Sequence, residues 1–381
     1  MVIGLMSGTS LDGLDVALCR LQGSGSNTAI ELLQFETIAY DPFFQQEVRS
    51  VFAKRQVDLE KVCLLHTWIA AQHAHMILGC LQRWQIDPKA VDMIASHGQT
   101  IYHAPKTLHP NDAFGNATLQ IGDGDHIAVL TGILTISDFR QKHVAAGGEG
   151  APLAAYGDYL IFSKQGENRV MLNIGGIANF TYLPGSCDAR EVFSTDVGPG
   201  NTLMDAYIQK HFPGNNFDKD AAIALQGQVN EALLYALMQH AFFAKGFPKT
   251  TGPELFNLAY LEEAMQNSEQ QDISPYDVMA TLNRFTATGI IEALRRIPEQ
   301  AITLYASGGG MHNPLLMQYI REQLPGYTFR DTNSLYINPD AKEAVLFAVL
   351  ANECICGGEE VLGDGSNGIP HVTMGKVSFP Y

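Results

Sequence analysis

Charge is scarce in this chain of 381 residues: 17% are Asp, Glu, Lys or Arg, and the cations are the rarer sign, 24 against 40. The net charge is −16 and the few Lys and Arg are scattered, so neither nucleic acid nor an anionic membrane is an expected partner. No run of about 20 uninterrupted apolar residues occurs, which argues against a membrane span. The opening residues carry no basic stretch and reach a carboxylate by Asp12, so no signal peptide is expected. Cysteine is also sparse. Cys19, Cys63, Cys80, Cys187, Cys354 and Cys356 are too few for a disulfide framework in a chain of this length. Cys354 and Cys356 lack a second pair to complete a zinc site, and a reducing, cytoplasmic compartment is expected. A Walker A loop and a dinucleotide fingerprint are both missing. Phosphate binding would therefore have to use backbone N–H groups with a metal, rather than a P-loop lysine.

What is present is apolar and rich in glycine. Hydrophobic residues make up 46%, and the length fits two domains of ordinary size. The first twenty residues, MVIGLMSGTSLDGLDVALCR, read as strand, turn, strand: an apolar run over 2–6, a turn over 7–10, then alternation through Leu14, Val16 and Leu18. The turn carries Gly8 and Gly13, the hydroxyls of Ser7, Thr9 and Ser10, and the carboxylates Asp12 and Asp15. Successive N–H groups in such a turn form an anion nest, and a nearby carboxylate can hold the cation that accompanies a polyphosphate.

Further along, a strand over 29–39 and a helix over 57–84 are expected, with His66, His73 and His75 in that helix as ordinary packed or solvated histidines. A buried strand over 91–95 delivers Ser96-His97-Gly98-Gln99, and the end of a strand in an open α/β sheet is where ligands bind. His97 and Gln99 are thus candidate sugar or phosphate contacts. Asp123, between two glycines, repeats the pattern, and Arg140 is one of the few cations available to an anionic group.

The second half opens with VMLNIGGIANFTYL over 170–183, laid out as the chain's start is: apolar run, glycine turn, apolar alternation. This reads as an internal duplication, with Gly175 in the second turn. Asp196 stands just ahead of an expected helix over 203–211, where the helix dipole would favour its ionised form and a role as base. The polar stretch KTTGPELFN over 249–257 is expected near the site, and a helix runs from Ser274-Pro275 to 296. A strand over 301–306 then leads into Ser307-Gly308-Gly309-Gly310, with Asn313-Pro314 starting the next helix. Strand, triple glycine and helix N-terminus suit a backbone lying close to a flat base and its phosphates.

GLMSGTSLDGLDVAL, ASHGQTIYH, DFR, AAGGEGAPL, LNIGGIANFTYL, DVGPGN, TTGPELFN, SGGGMHNPLLM and PDAKEAVLFAVLAN occur in order over almost the full chain. In these stretches the sequence resembles the anhydro-N-acetylmuramic acid kinase family, bacterial enzymes of peptidoglycan recycling in the actin/Hsp70/sugar-kinase superfamily. The resemblance implies an α/β fold, a duplicated actin-like (ASKHA) ATPase architecture of two domains with a central nucleotide cleft. It places an N-terminal domain over 1–137 plus 353–381 and a C-terminal domain over 138–352. It also implies a cytoplasmic homodimer using ATP and Mg²⁺, which opens the 1,6-anhydro ring of anhydro-N-acetylmuramic acid with water and phosphorylates O6. A kinase of another 1,6-anhydro sugar such as levoglucosan, and a non-catalytic ATP-gated sensor, are the rival readings.

By position, Gly8, Thr9, Ser10, Leu11, Asp12, Gly13, Leu14 and Asp15 would hold the ATP phosphates, with Gly175 in the second phosphate turn. Mg²⁺ would sit on Asp12, with Asp15 as its rival. Asp196 would be the base, Gly308, Gly309, Gly310 and Asn313 would face the nucleoside, and His97, Gln99, Asp123 and Arg140 the sugar. Two positions depart from the family pattern: Val197 stands where Thr is usual, and His143 where Asp is usual.

Overall fold

The computed structural model describes residues 1–8, 11–109, 111–150, 153–269, 272–299, 301–331, 335, 339–357 and 372–381. The chain divides into two units, Met1–Ser163 with Tyr336–Tyr381, and Lys164–Leu335. The first is built on strands β1 (Val2–Ser7), β2 (Gly13–Gln22), β3 (Ala29–Ala39), β4 (Met93–Ala104), β5 (Ala117–Ile121), β6 (Thr135–Ser137) and, last in the chain, β12 (Lys376–Ser378). The second is built on β7 (Asn168–Ile174), β8 (Ile177–Leu183), β9 (Phe193–Pro199), β10 (Ile302–Ser307) and β11 (Tyr327–Asp331).

The duplication is plain in the topology. In the first sheet the order is β12-β6-β4-β1-β2-β3, with β5 beside β4; in the second it is β11-β10-β7-β8-β9. Each begins with three antiparallel strands, β1-β2-β3 or β7-β8-β9. Each then adds two parallel strands beyond the first, β4 and β6 or β10 and β11. This is the duplicated actin-like α/β fold that the sequence led us to expect.

The first unit buries both faces of its sheet. The helix Leu59–Trp84 is capped by Asp58 and turns Leu65, Ile69, Ile77 and Leu81 into a core shared with Ile3, Leu5 and Ile94. Such i, i+4 spacing puts an apolar stripe on one side of a helix. The helix Lys342–Cys356 is apolar nearly all round and seats directly on β1: a Cβ on Gly4 would fall 1.8 Å from the Ala344 carbonyl oxygen. Only glycine permits that approach.

This contact also explains where the boundaries fall. Residues 138–163 and 336–352, expected in the C-terminal domain, belong to the first unit. The Phe139 and Phe347 rings meet at 5.3 Å, and Gly157 lies against Leu346. The apolar surface of the helix Lys342–Cys356 is matched by β1 and these neighbours, so the chain returns to its first sheet earlier than the sequence pattern indicated. In the second unit the helix Pro275–Leu294 starts as expected, Ser274 accepting from the Asp277 N–H at 3.1 Å. Two 3-10 turns, Lys219–Ala221 and Ala224–Gln226, lead into the short helices Glu231–Met238 and Ala241–Ala244.

Candidate active site

The opening hairpin forms as expected, β1 pairing with β2 from Val2↔Cys19 to Ser7↔Leu14. Its tip is held from below by a buried polar chain. Ser7 Oγ donates to Gln99 Oε1 at 2.5 Å and lies 2.7 Å from the Tyr40 hydroxyl, which in turn lies 2.9 Å from His73 Nε2. Gln99 Nε2 also points at the Gly8 carbonyl, 3.4 Å away. Gln99 is fully buried, so it braces the hairpin rather than facing a sugar. Leu11 and Leu14 are core residues, and only their backbones can serve a phosphate. Gly13 is glycine for a packing reason, since a Cβ there would lie 2.6 Å from the Ile38 carbonyl oxygen. Thr9 and Ser10 lie outside the described residues.

Asp12 is exposed at the tip, one oxygen accepting from the Gly13 N–H at 3.1 Å. Burial raises the Asp15 carboxyl above its ordinary pKa against the Thr37 hydroxyl bond, and the negative charges of Asp12 and Asp340 raise it further. Carboxylates crowded in this way, beside a tip of backbone N–H groups, are suited to a hard cation with oxygen ligands. Asp12 is exposed and Asp15 partly buried.

The four expected sugar residues are not gathered at one surface. His97 and Asp123 line a cavity of about 340 Å³ together with Gln120, Ser137 and Lys376. Arg140 reaches it through His97: its Nε donates to His97 Nε2 at 2.9 Å, and another guanidinium nitrogen donates to the Gly150 carbonyl at 2.6 Å. Burial first, and then the Arg140 charge, push His97 down to about 3, so it stays neutral. Asp123 caps the helix Gly124–Thr131, accepting from the Asp125 and His126 N–H groups at 3.0 and 3.1 Å, and faces His66 at 3.4 Å.

In the second unit Asp196 lies within β9, paired with Asn179, and not at the helix start; the helix Thr202–His211 begins six positions later. A helix dipole therefore does not set its charge. Burial does, pushing the half-buried carboxyl up to about 6; the Thr251 N–H opposes this and Glu254 adds to it. Oδ2 accepts that N–H at 2.8 Å, while Oδ1 accepts no hydrogen bond among the described residues. One oxygen is thus pinned and the other is available to take a proton.

The triple glycine wraps the second hairpin. Gly308 adopts φ +81°, and a Cβ on Gly310 would lie 2.2 Å from the Ile174 side chain. The Gly175 carbonyl accepts the Asn201 N–H at 2.8 Å. Gly309, Gly310, Asn313 and Asn201 then line a cavity of about 660 Å³. Asp205, Phe217 and Lys219 are also on its wall, and burial pushes Asp205 up to about 6. These last three were not singled out from sequence. The Gly/Asn/Asp-rich run over 213–220 was the available signal for the loop that carries two of them.

A sequence profile of the anhydro-N-acetylmuramic acid kinase family matches residues 1–372. The chain belongs to this family. A protein of Pseudoalteromonas atlantica named anhydro-N-acetylmuramic acid kinase is 59% identical over 383 residues, covering all of this chain and 96% of its own length. Relatives of the same name from Pseudoalteromonas translucida and Caldanaerobacter subterraneus subsp. tengcongensis are 56% and 38% identical, each over the whole of this chain and 95% and 97% of theirs.

Within this kinase family the two departures have local explanations. Val197 is 1% exposed and packs among Val170, Phe180 and Ile290. Val197 falls at a bulge in β9, between Asp196, which pairs with Asn179, and Gly198, which pairs with Ala178, and its side chain is taken up by the core. His143 is buried and neutral, burial and then Arg140 lowering it to about 4, and its Nδ1 accepts the Gly150 N–H at 3.0 Å. It therefore holds Gly150, whose carbonyl holds Arg140.

Proposed function

We propose that this chain is an ATP-dependent kinase which opens the 1,6-anhydro ring of 1,6-anhydro-N-acetylmuramic acid with water and phosphorylates O6, giving N-acetylmuramate 6-phosphate and ADP in peptidoglycan recycling. The observation that carries this reading, within the family, is Asp196: one oxygen fixed by Thr251, the other open, and a carboxyl raised to about 6 by burial. A general base works best when its pKa lies near the operating pH.

Asp196 Oδ1 takes a proton from water, and the resulting hydroxide attacks C1 of the sugar. The C1–O6 bond breaks with its electron pair on O6. That oxygen attacks the γ-phosphorus, and the bond to the ADP oxygen breaks in turn. The leaving O6 is the phosphoryl acceptor, so no separate acid is needed if phosphorus lies in line with it. The backbone of 8–15 and the turn at Gly175 are assigned to the phosphates, and the cavity of about 660 Å³ beside Gly309 and Asn313 to the nucleoside. Mg²⁺ on Asp12 would neutralise triphosphate charge. His97, Asp123 and Arg140 are assigned to the sugar, and Gln99 to bracing the hairpin. A homodimer in the cytoplasm completes the proposal; no described helix is long and apolar enough to cross a membrane.

The deciding experiment is ADP release with the anhydro sugar, run beside plain N-acetylmuramic acid, levoglucosan and no sugar. Turnover confined to the anhydro muramic sugar is expected, and equal turnover of levoglucosan would overturn the substrate assignment. Asp12→Ala is expected to raise the Mg²⁺ concentration for half-maximal rate about tenfold to a hundredfold, the worth of one charge-assisted contact. An unchanged Mg²⁺ titration would move the metal to Asp15.

A further inference from the structure

The stretch 249–257 has so far entered only through the Thr251 N–H. It runs alongside β9 and is bound to it repeatedly. The Asp196 N–H donates to the Lys249 carbonyl at 2.9 Å, the Lys249 N–H donates to Thr195 Oγ1 at 3.0 Å, and the Thr251 N–H donates to the Asp196 carboxylate at 2.8 Å. The position of the Asp196 carboxylate therefore depends on where the backbone of 249–251 is held.

What holds that backbone from the other side is the Lys249 side chain. It is 8% exposed, and its Nζ donates to the Phe242 carbonyl at 3.1 Å. Nζ lies 4.2 Å from the centre of the Phe242 ring, 5.7 Å from that of Phe247 and 5.8 Å from that of Phe243. Among the described residues no carboxylate forms an ion pair with it. The nearby charges add to the cost: burial, then Arg296 and Lys245, push Lys249 down to about 8, and Glu292 is the one carboxylate among the described residues on the wall of the cavity of about 190 Å³ that Lys249 lines. A lysine this buried is rare without a partner carboxylate, and an apolar side chain of similar length would fill the cage at less cost. The ammonium must do something that an apolar side chain cannot, and the Phe242 carbonyl shows what. Phe242 belongs to the short helix Ala241–Ala244, whose Phe243 ring packs against Gly198 of β9.

We propose that Lys249 is a positioning residue for Asp196: its caged ammonium clips the 249–251 backbone to the helix Ala241–Ala244, and so keeps the Thr251 N–H on the Asp196 carboxylate. This rests on Asp196 being the base. Lys249 does not touch the reacting atoms, and its side chain acts through the 249–251 backbone.

The test is Lys249→Met, which fills the cage without an N–H donor, set beside Lys249→Arg, which keeps a cation and donors. With Met, kcat is expected to fall about tenfold, because a misplaced reacting group is costly. KM for ATP and sugar should stay within about twofold, and the acid limb of kcat/KM should move upward by about half a pH unit or more as the ionised carboxylate loses its N–H. Glu254, the other carboxylate facing Asp196, is unchanged in both variants and cannot cause such a shift. The Arg variant should keep the acid limb at its wild-type position. That measurement decides the matter if the Met variant does not fold, and a displaced limb with Arg would overturn the proposal. Wild-type kcat and an unmoved limb with Met would also overturn it, as would a fall in kcat matched by rises in both KM values. If Asp196→Asn retains turnover, the base reading itself is lost. If Asp196→Asn is inactive while Lys249→Met behaves as wild type, only the role of Lys249 is lost.

Discussion

Asp196→Asn is expected to lower kcat about 10²- to 10⁴-fold, the usual worth of a positioned general base, while leaving KM for ATP unchanged. Asn keeps the shape of Asp and an oxygen to accept the Thr251 N–H, so the site should survive with only its basicity removed. Two further readouts separate this from damage to the fold. In the wild type, kcat/KM should fall as pH drops through about 6, since the free enzyme's base is then protonated. The residual activity of the Asn variant should lack that limb. Stability should move the opposite way from activity. The folded-state pKa of Asp196 is raised above its unfolded value, so the ionised carboxyl is a cost that is absent below about pH 4 and complete well above pH 6. The Asn variant should therefore melt at a higher temperature than the wild type at pH 8, with the gain shrinking toward pH 4. A variant that loses turnover and melts lower at pH 8 would instead mark Asp196 as structural.

The reasons some of this was legible in sequence, and some was not, are local. The hairpin at 2–18 and its repeat at 170–183 announced themselves because each needs an apolar run, a glycine turn and an alternating strand, and these are patterns over neighbouring residues. The strand order that the two sheets share is built around them, β5 and β12 being additions to the first. Gln99 and Asp196 were placed by their position at or near the end of an element, and in both cases a distant segment decides their role. Ser7, 92 positions away, takes the Gln99 amide; residues 249–251 hold Asp196. No local pattern reports either contact. Val197, which stands where Thr is usual, is a further case: a bulge in β9 accompanies its burial in the core, and no pattern over neighbouring residues announces a bulge.

The triple glycine allows the sharpest separation of binding from catalysis. Gly308→Ala is expected to raise KM for ATP about tenfold to a hundredfold, with a smaller effect on kcat once nucleotide is saturating. At φ +81° and ψ 165° Gly308 occupies a region essentially reserved for glycine, where a side chain costs about 1–3 kcal/mol. The added Cβ would also lie 2.6 Å from Asn173 Oδ1 and 2.7 Å from the Ile174 carbonyl oxygen, and such overpacking costs about another 1–3 kcal/mol. The Ile174 backbone cannot give way easily, because Ile174 is the last residue of β7 and leads directly into the Gly175 turn. Relief must come from Gly309 and Gly310, which form the wall of the large cavity, so the strain is delivered to the surface assigned to the nucleoside. Gly326 supplies the control: a Cβ there meets nothing within 4 Å, and Gly326→Ala should change neither KM nor melting temperature. Loss of stability in Gly308→Ala with ATP affinity intact would mean that the three glycines serve only to pack against β7, and the nucleoside would have to be sought elsewhere.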